Sequence, residues 1–186
     1  MSSQVVRRRR RVEATRTEAA RVDGYRLVFE DGGVPLIEPA FASIREEAGA
    51  EVWGVLYHLP AAQFARLDRF ESPNYRLVEI SAVGAETGPH QAVAYVTQRP
   101  VSGRRPSRRY IQLLCEGAKE HGLPERYLLE LLAHPTAPAP PGTGRALNLV
   151  VHAAEWLLSH WPASVAGRRQ TRSGFPAEVS TARPDE

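Results

Sequence analysis

One cysteine, one lysine and one methionine occur in the 186 residues, and no apolar run approaches the roughly 18 residues needed to span a bilayer. With Cys115 alone, an intrachain disulfide and a cysteine-based zinc cluster are both excluded. Cys115 stands in the apolar stretch Ile111-Gln112-Leu113-Leu114-Cys115, whose neighbourhood offers no evident histidine partner, so a buried inert thiol is expected. The scarcity of lysine, with Lys119 the sole example, means that the basic charge is arginine. The net charge is only +3 at a pI near 9.3, and an Arg-, Ala- and Pro-rich composition fits a GC-rich coding background. Arginine count is therefore poor evidence for nucleic-acid binding. Also lacking are a Gly-rich phosphate loop, a Gly-x-Ser-x-Gly elbow and a histidine pair at metal-ligand spacing. The six histidines read as ordinary surface or packed residues, and neither metal nor cofactor is expected. Arg7-Arg8-Arg9-Arg10-Arg11 leads into Val12-Glu13-Ala14-Thr15 rather than an apolar stretch, which is not a secretory pattern. The reading is a cytoplasmic protein that does not cross a membrane.

What is present fits one domain with a proper core: 42% of the residues are hydrophobic and 8% aromatic. Strand patterns appear at Tyr25–Phe29, ending at the turn signal Asp31-Gly32-Gly33, at Phe41–Ile44, and most clearly at Glu51–Tyr57, where Gly54 points to a bulge or a close backbone approach. Pro60 is placed to open a helix through Ala61–Glu71, which Ser72-Pro73-Asn74 stops. Tyr75–Ser81 and Gln91–Val96 then pair as a hairpin across the turn at Gly84–Pro89. From Pro106 the period changes from two to about 3.6. A helix capped by Ser107 carries Tyr110, Leu113, Leu114, Gly117 and Ala118 on one face and ends at His121-Gly122, and Leu123-Pro124-Glu125 opens another through Leu132. Strands with one inserted helix, then helices, make an α+β domain.

The expected organisation is a basic segment at 1–18, the domain at 19–132, a Pro-rich linker at 133–146, an appended amphipathic helix at 147–162 and a tail at 163–186. That appended helix either mediates homodimerisation or covers the domain. Among the charged residues, Glu71 is the candidate for chemistry. It closes an amphipathic helix directly before a strand, where partial desolvation raises a carboxyl pKa toward the range useful for proton transfer. A solvent-facing glutamate at a helix end has the same spacing, so spacing alone leaves its role open.

Five segments then occur in a telling order: Glu51-Val52-Trp53-Gly54-Val55-Leu56-Tyr57; Leu67-Asp68-Arg69-Phe70-Glu71; Tyr75 with its strand; Arg105-Pro106-Ser107-Arg108-Arg109-Tyr110-Ile111; and Gly117 through Tyr127. Together with Ala20–Phe29 they resemble the γ-glutamylcyclotransferase family over about residues 19–132. The resemblance implies a small mixed β-barrel with flanking helices and a cofactor-free cyclisation of a small γ-glutamyl substrate to 5-oxoproline. It also implies that Glu71 is the general acid/base, that Tyr110 contacts the substrate, and that Tyr75 lines the pocket.

Two departures qualify the match. Ser72 stands where the family usually carries glycine. The family's opening strand ends in Tyr-Gly-Ser-Asn, whose backbone amides would bind substrate and oxyanion, and that motif occurs nowhere here. Met1-Ser2-Ser3-Gln4-Val5-Val6-Arg7 looks like the segment that follows it, so the chain is expected to start after that first strand and, in this form, to be weakly active at best. Two other readings stand beside the enzyme: a catalytically silent ligand-binding module of the same fold, and a nucleic-acid or interaction protein using Arg7–Arg11 and the helix at 147–161.

Overall fold

The computed structural model of the chain describes residues 12–34, 37–69, 71 and 73–138. The expected arginine cluster at 7–11, most of the linker, the appended helix at 147–162 and the tail lie outside these residues.

Two long strands, β1 (Arg16–Val34) and β2 (Glu38–His58), form one antiparallel ribbon, with pairing from Arg16 opposite His58 to Val34 opposite Glu38. This replaces the three short strands and the turn at Asp31-Gly32-Gly33 that the sequence pattern implied. The ribbon runs on through polar segments because cross-strand pairs hold its exposed face: Arg26 with Glu47, Arg45 with Glu30, and the Tyr25 hydroxyl donating to Glu46. Register shifts fall between Asp23 and Tyr25 and between Val28 and Asp31. Gly54 pairs in register with Ala20 and has open space where a Cβ would stand, so it marks neither a bulge nor a close approach.

The hairpin of β3 (Tyr75–Gly84) and β4 (Gly88–Thr97) forms as its sequence implies, in register from Tyr75–Thr97 to Gly84–Gly88. The sheet has the order β2-β1-β3-β4 and is antiparallel throughout. Here the expected mixed barrel is corrected. β1 and β3 pair only over Ala20–Gly84, Arg21–Val83 and Val22–Ala82, and β4 meets β2 through the Thr97 amide donating to Ser43 Oγ (3.0 Å) rather than through a ladder. A barrel needs unbroken pairing around its circumference, and among the described residues that pairing is missing.

Helix α1 (Ala61–Asp68) links β2 to β3. It ends three residues before Glu71, so Glu71 occupies the connection to β3 rather than the last helical turn. Helices α2 (Arg108–Glu120) and α3 (Glu125–Ala133) cover the sheet. Ser107 caps α2 by accepting the Tyr110 amide. At its other end Gly122, at φ 66°, lets the Leu123 amide reach Ala118 O (2.9 Å) and the Gly122 amide reach Lys119 O (3.2 Å). This is a Schellman closure, and it buries Leu123. The buried stripe of α2 centres on Ile111, Cys115 and Ala118, with Leu113 and Leu114 half-buried at its margin. These residues meet Tyr127 and Leu131 of α3 and Val22, Phe29, Ala40 and Val52 of the ribbon in one core. Truncating Ile111 to alanine there costs about 2–5 kcal/mol. No helix among the described residues is long and apolar enough to cross a membrane.

Candidate active site

The site is assembled from the entry of α2. Glu38, the first residue of β2, is buried at 4% exposure. Its carboxylate accepts the Ser107 amide (2.8 Å) and the Ser107 hydroxyl, while the same hydroxyl oxygen accepts the Tyr110 amide (3.1 Å). Burial pushes the Glu38 carboxyl above its usual range, and the two Ser107 hydrogen bonds and the Arg109 charge pull it partly back. This relay holds the first turn of α2, and with it Tyr110, against β2.

Tyr110 is wedged edge-on against Phe41 and Phe29, with ring centres 5.4 and 6.2 Å away. Its hydroxyl oxygen accepts the Ala42 amide (3.3 Å), and the Tyr75 hydroxyl donates to the Ala42 carbonyl (3.3 Å). The two tyrosines singled out from the sequence, 35 positions apart, are thus brought to one residue of β2. Tyr75 also lies edge-on to Tyr95 (6.4 Å), whose hydroxyl donates to Asp68 at the end of α1 (3.0 Å). The Glu71 amide bonds the Asp68 carbonyl (3.3 Å), and Glu71 is half-buried. Glu71 therefore shares its segment of chain with the aromatic group and is linked to it through Asp68 and Tyr95.

Where β1 and β3 part company, a polar network takes over. Buried Asp31 accepts the Thr97 hydroxyl (3.2 Å) and the Asn74 side-chain amide, and that amide also donates to Thr97 Oγ1 (2.9 Å). With the Thr97–Ser43 bond, this pins the start of β3 and the end of β4 to the ribbon beside Ala42. Two open hollows lie elsewhere: one of about 220 Å³ between Phe29, Val101, Arg104 and His134, and one of about 270 Å³ on α1 at Gln63 and Arg66. Glu71, Tyr75 and Tyr110 line neither.

The profile of the AIG2-like family matches residues 51–131, a span that contains Glu71, Tyr75 and Tyr110. The mouse γ-glutamylcyclotransferase is 34% identical over 95 residues, which are 50% of each protein. The γ-glutamyl cyclotransferase gliK of Claviceps purpurea is 30% identical over 147 residues, 73% of this chain and 66% of that protein. This chain belongs to the γ-glutamylcyclotransferase family. It spans about half the length of the mammalian relatives it matches. A solved γ-glutamyl cyclotransferase structure superposes with a TM-score of 0.65 at 22% identity, covering 82% of this chain and 92% of its own, so the two share a fold.

For this family member, sequence reasoning missed four contributors: Glu38, the Ala42 peptide, Phe41 and the Asp68–Tyr95 pair. Ser107, read correctly as a helix cap, carried a signal toward Glu38, and the string Leu67–Glu71 contained Asp68 without showing its partner. Residue types alone do not reveal which backbone amide a tyrosine will meet across a sheet.

Proposed function

We propose that this chain cyclises a small γ-glutamyl compound to 5-oxoproline and releases the free amino acid or amine. The α-nitrogen attacks the γ-carbonyl carbon, forming the ring C–N bond, and the original γ C–N bond breaks. In the overall change the α-ammonium loses two protons to become the lactam N–H, and the departing nitrogen gains two to leave as an ammonium. The demands are a folded substrate and a proton carrier between two nitrogens. In this reading Glu71 is the carrier, and Tyr110 and Tyr75 shape the wall against which the glutamyl chain bends. The chemistry moves protons and one C–N bond, so it calls for no redox group.

The observation that carries the reading is the convergence of Tyr75 and Tyr110 on Ala42, one short connection away from Glu71. The test is 5-oxoproline release from a panel of γ-glutamyl dipeptides and amines by the wild type and by Glu71→Gln. The reading expects release by the wild type and a drop of about 10²–10⁴-fold in the variant. Equal rates from both would remove Glu71 from its role. A second reading is a ligand-binding module of the same fold that binds a γ-glutamyl compound without turning it over. Thermal stabilisation by a γ-glutamyl dipeptide without product from any substrate in the panel would establish it.

A further inference from the structure

At the turn end of the β3–β4 hairpin, three ligand-type side chains from separate strands converge. Glu18 comes from β1, His58 ends β2 and His90 lies near the start of β4. One ligand atom from each lies within 4.8 Å of the others. The Glu18 side chain has no exposed surface and is held by the turn itself: Oε2 accepts the amides of Glu86 (3.0 Å) and Thr87 (3.2 Å). Its Oε1 faces inward, 3.1 Å from His58 Nε2 and 2.6 Å from the Thr87 hydroxyl, which in turn contacts His90 Nε2. The two imidazole rings stand 5.3 Å apart, nearly perpendicular. Gly84 makes room for this packing, because a Cβ there would lie 2.5 Å from Glu18 Oε2.

We infer that Glu18, His58 and His90 form a binding site for a borderline-soft divalent ion such as Zn²⁺, independent of the cyclisation chemistry. Zinc bonds to nitrogen and carboxylate oxygen are about 2.0–2.2 Å, so two ligands at a tetrahedral angle stand about 3.4 Å apart. The Glu18–His58 separation of 3.1 Å is already close to that, and His90, whose ligand atom lies within 4.8 Å of the other two, closes the remaining gap by a small side-chain adjustment. Two imidazoles and one carboxylate suit zinc, cobalt or nickel far better than magnesium or calcium. The Thr87 hydroxyl, between Glu18 and His90, turns aside or serves as a fourth ligand. The pair of turn amides on Oε2 is the kind of outer shell that fixes a ligating carboxylate. Arg16 is the nearby opposing charge, with its Nε 4.0 Å from Glu18 Oε1; it is 44% exposed and reaches out to Glu86 at 2.7 Å. It can stay outside while the ion enters.

Zinc titration of the full chain, stripped with chelator, tests the site by calorimetry, by metal content after gel filtration and by the tetrahedral cobalt spectrum. One equivalent is expected, with a higher thermal midpoint and no effect from Mg²⁺. His58→Gln and His90→Gln, at half-buried ring positions, should each weaken binding by more than about 100-fold while retaining the far-ultraviolet circular dichroism of the wild type. Absence of binding at micromolar protein overturns the inference. So does zinc binding that persists in the double variant, since the ion would then be held elsewhere. If either single variant unfolds, the histidine ring NMR shifts of the wild type on zinc addition decide the matter: both His58 and His90 must shift at one equivalent.

Discussion

Tyr75 and Tyr110 bond the two backbone polar groups of one residue, the first donating to the Ala42 carbonyl and the second accepting the Ala42 amide. Because they share Ala42, their losses are expected to be non-additive. Tyr110→Phe leaves a half-buried amide without its acceptor and should destabilise by about 1–3 kcal/mol; Tyr75→Phe should cost about 0.5–1.5 kcal/mol. Urea unfolding of both variants and of the double variant measures the coupling, and strict additivity would show that the two bonds act independently.

Glu71 is offered as a chemical group rather than a structural one, and that distinction is measurable. Glu71→Gln should leave the unfolding free energy, measured by urea denaturation, within about 0.5 kcal/mol of wild type, as expected away from the core. The same change should depress 5-oxoproline release by at least about 100-fold. A variant that loses stability in step with activity would point to a structural role instead.

Glu38 ties the pH response to the entry of α2. Its carboxyl titrates near its ordinary value of 4.5 in the unfolded chain and above it in the fold, chiefly through burial. Between those two values the native state binds more protons, so stability falls as the pH rises through that window. The contribution is fully present below 4.5 and lost above the folded pKa. Denaturation curves from pH 4 to 8 should show this slope in the wild type and lose it in Glu38→Gln. A slope that persists in the variant would assign it to another group.

Cys115 supplies a check on the core. It is 5% exposed, and burial pushes its thiol up, with the Lys119 charge opposing that only in part. A maleimide should therefore leave the native protein unmodified at neutral pH and label one site per chain once urea unfolds it. Rapid labelling under native conditions would mean that α2 does not sit on the sheet as described.

Patterns of period two and 3.6 were enough to place the β3–β4 hairpin, the Ser107 cap, the stop at His121-Gly122 and the α+β class. Each of these depends on residues near one another along the chain. The ordered motifs from Glu51 to Tyr127 likewise carried the family, because shared ancestry is written in local strings. The ribbon of β1 and β2 was not legible, since its polar middle is held by partners such as Arg26 and Glu47, 21 positions apart. Sheet closure was misjudged because a barrel depends on which edges meet, and here a serine hydroxyl stands where a ladder was expected. The Ala42 meeting point, the Glu38 support beneath α2 and the grouping of Glu18, His58 and His90 all arise from strands folded onto each other. Pairings between distant strands leave no local periodicity, so only the assembled chain decides them.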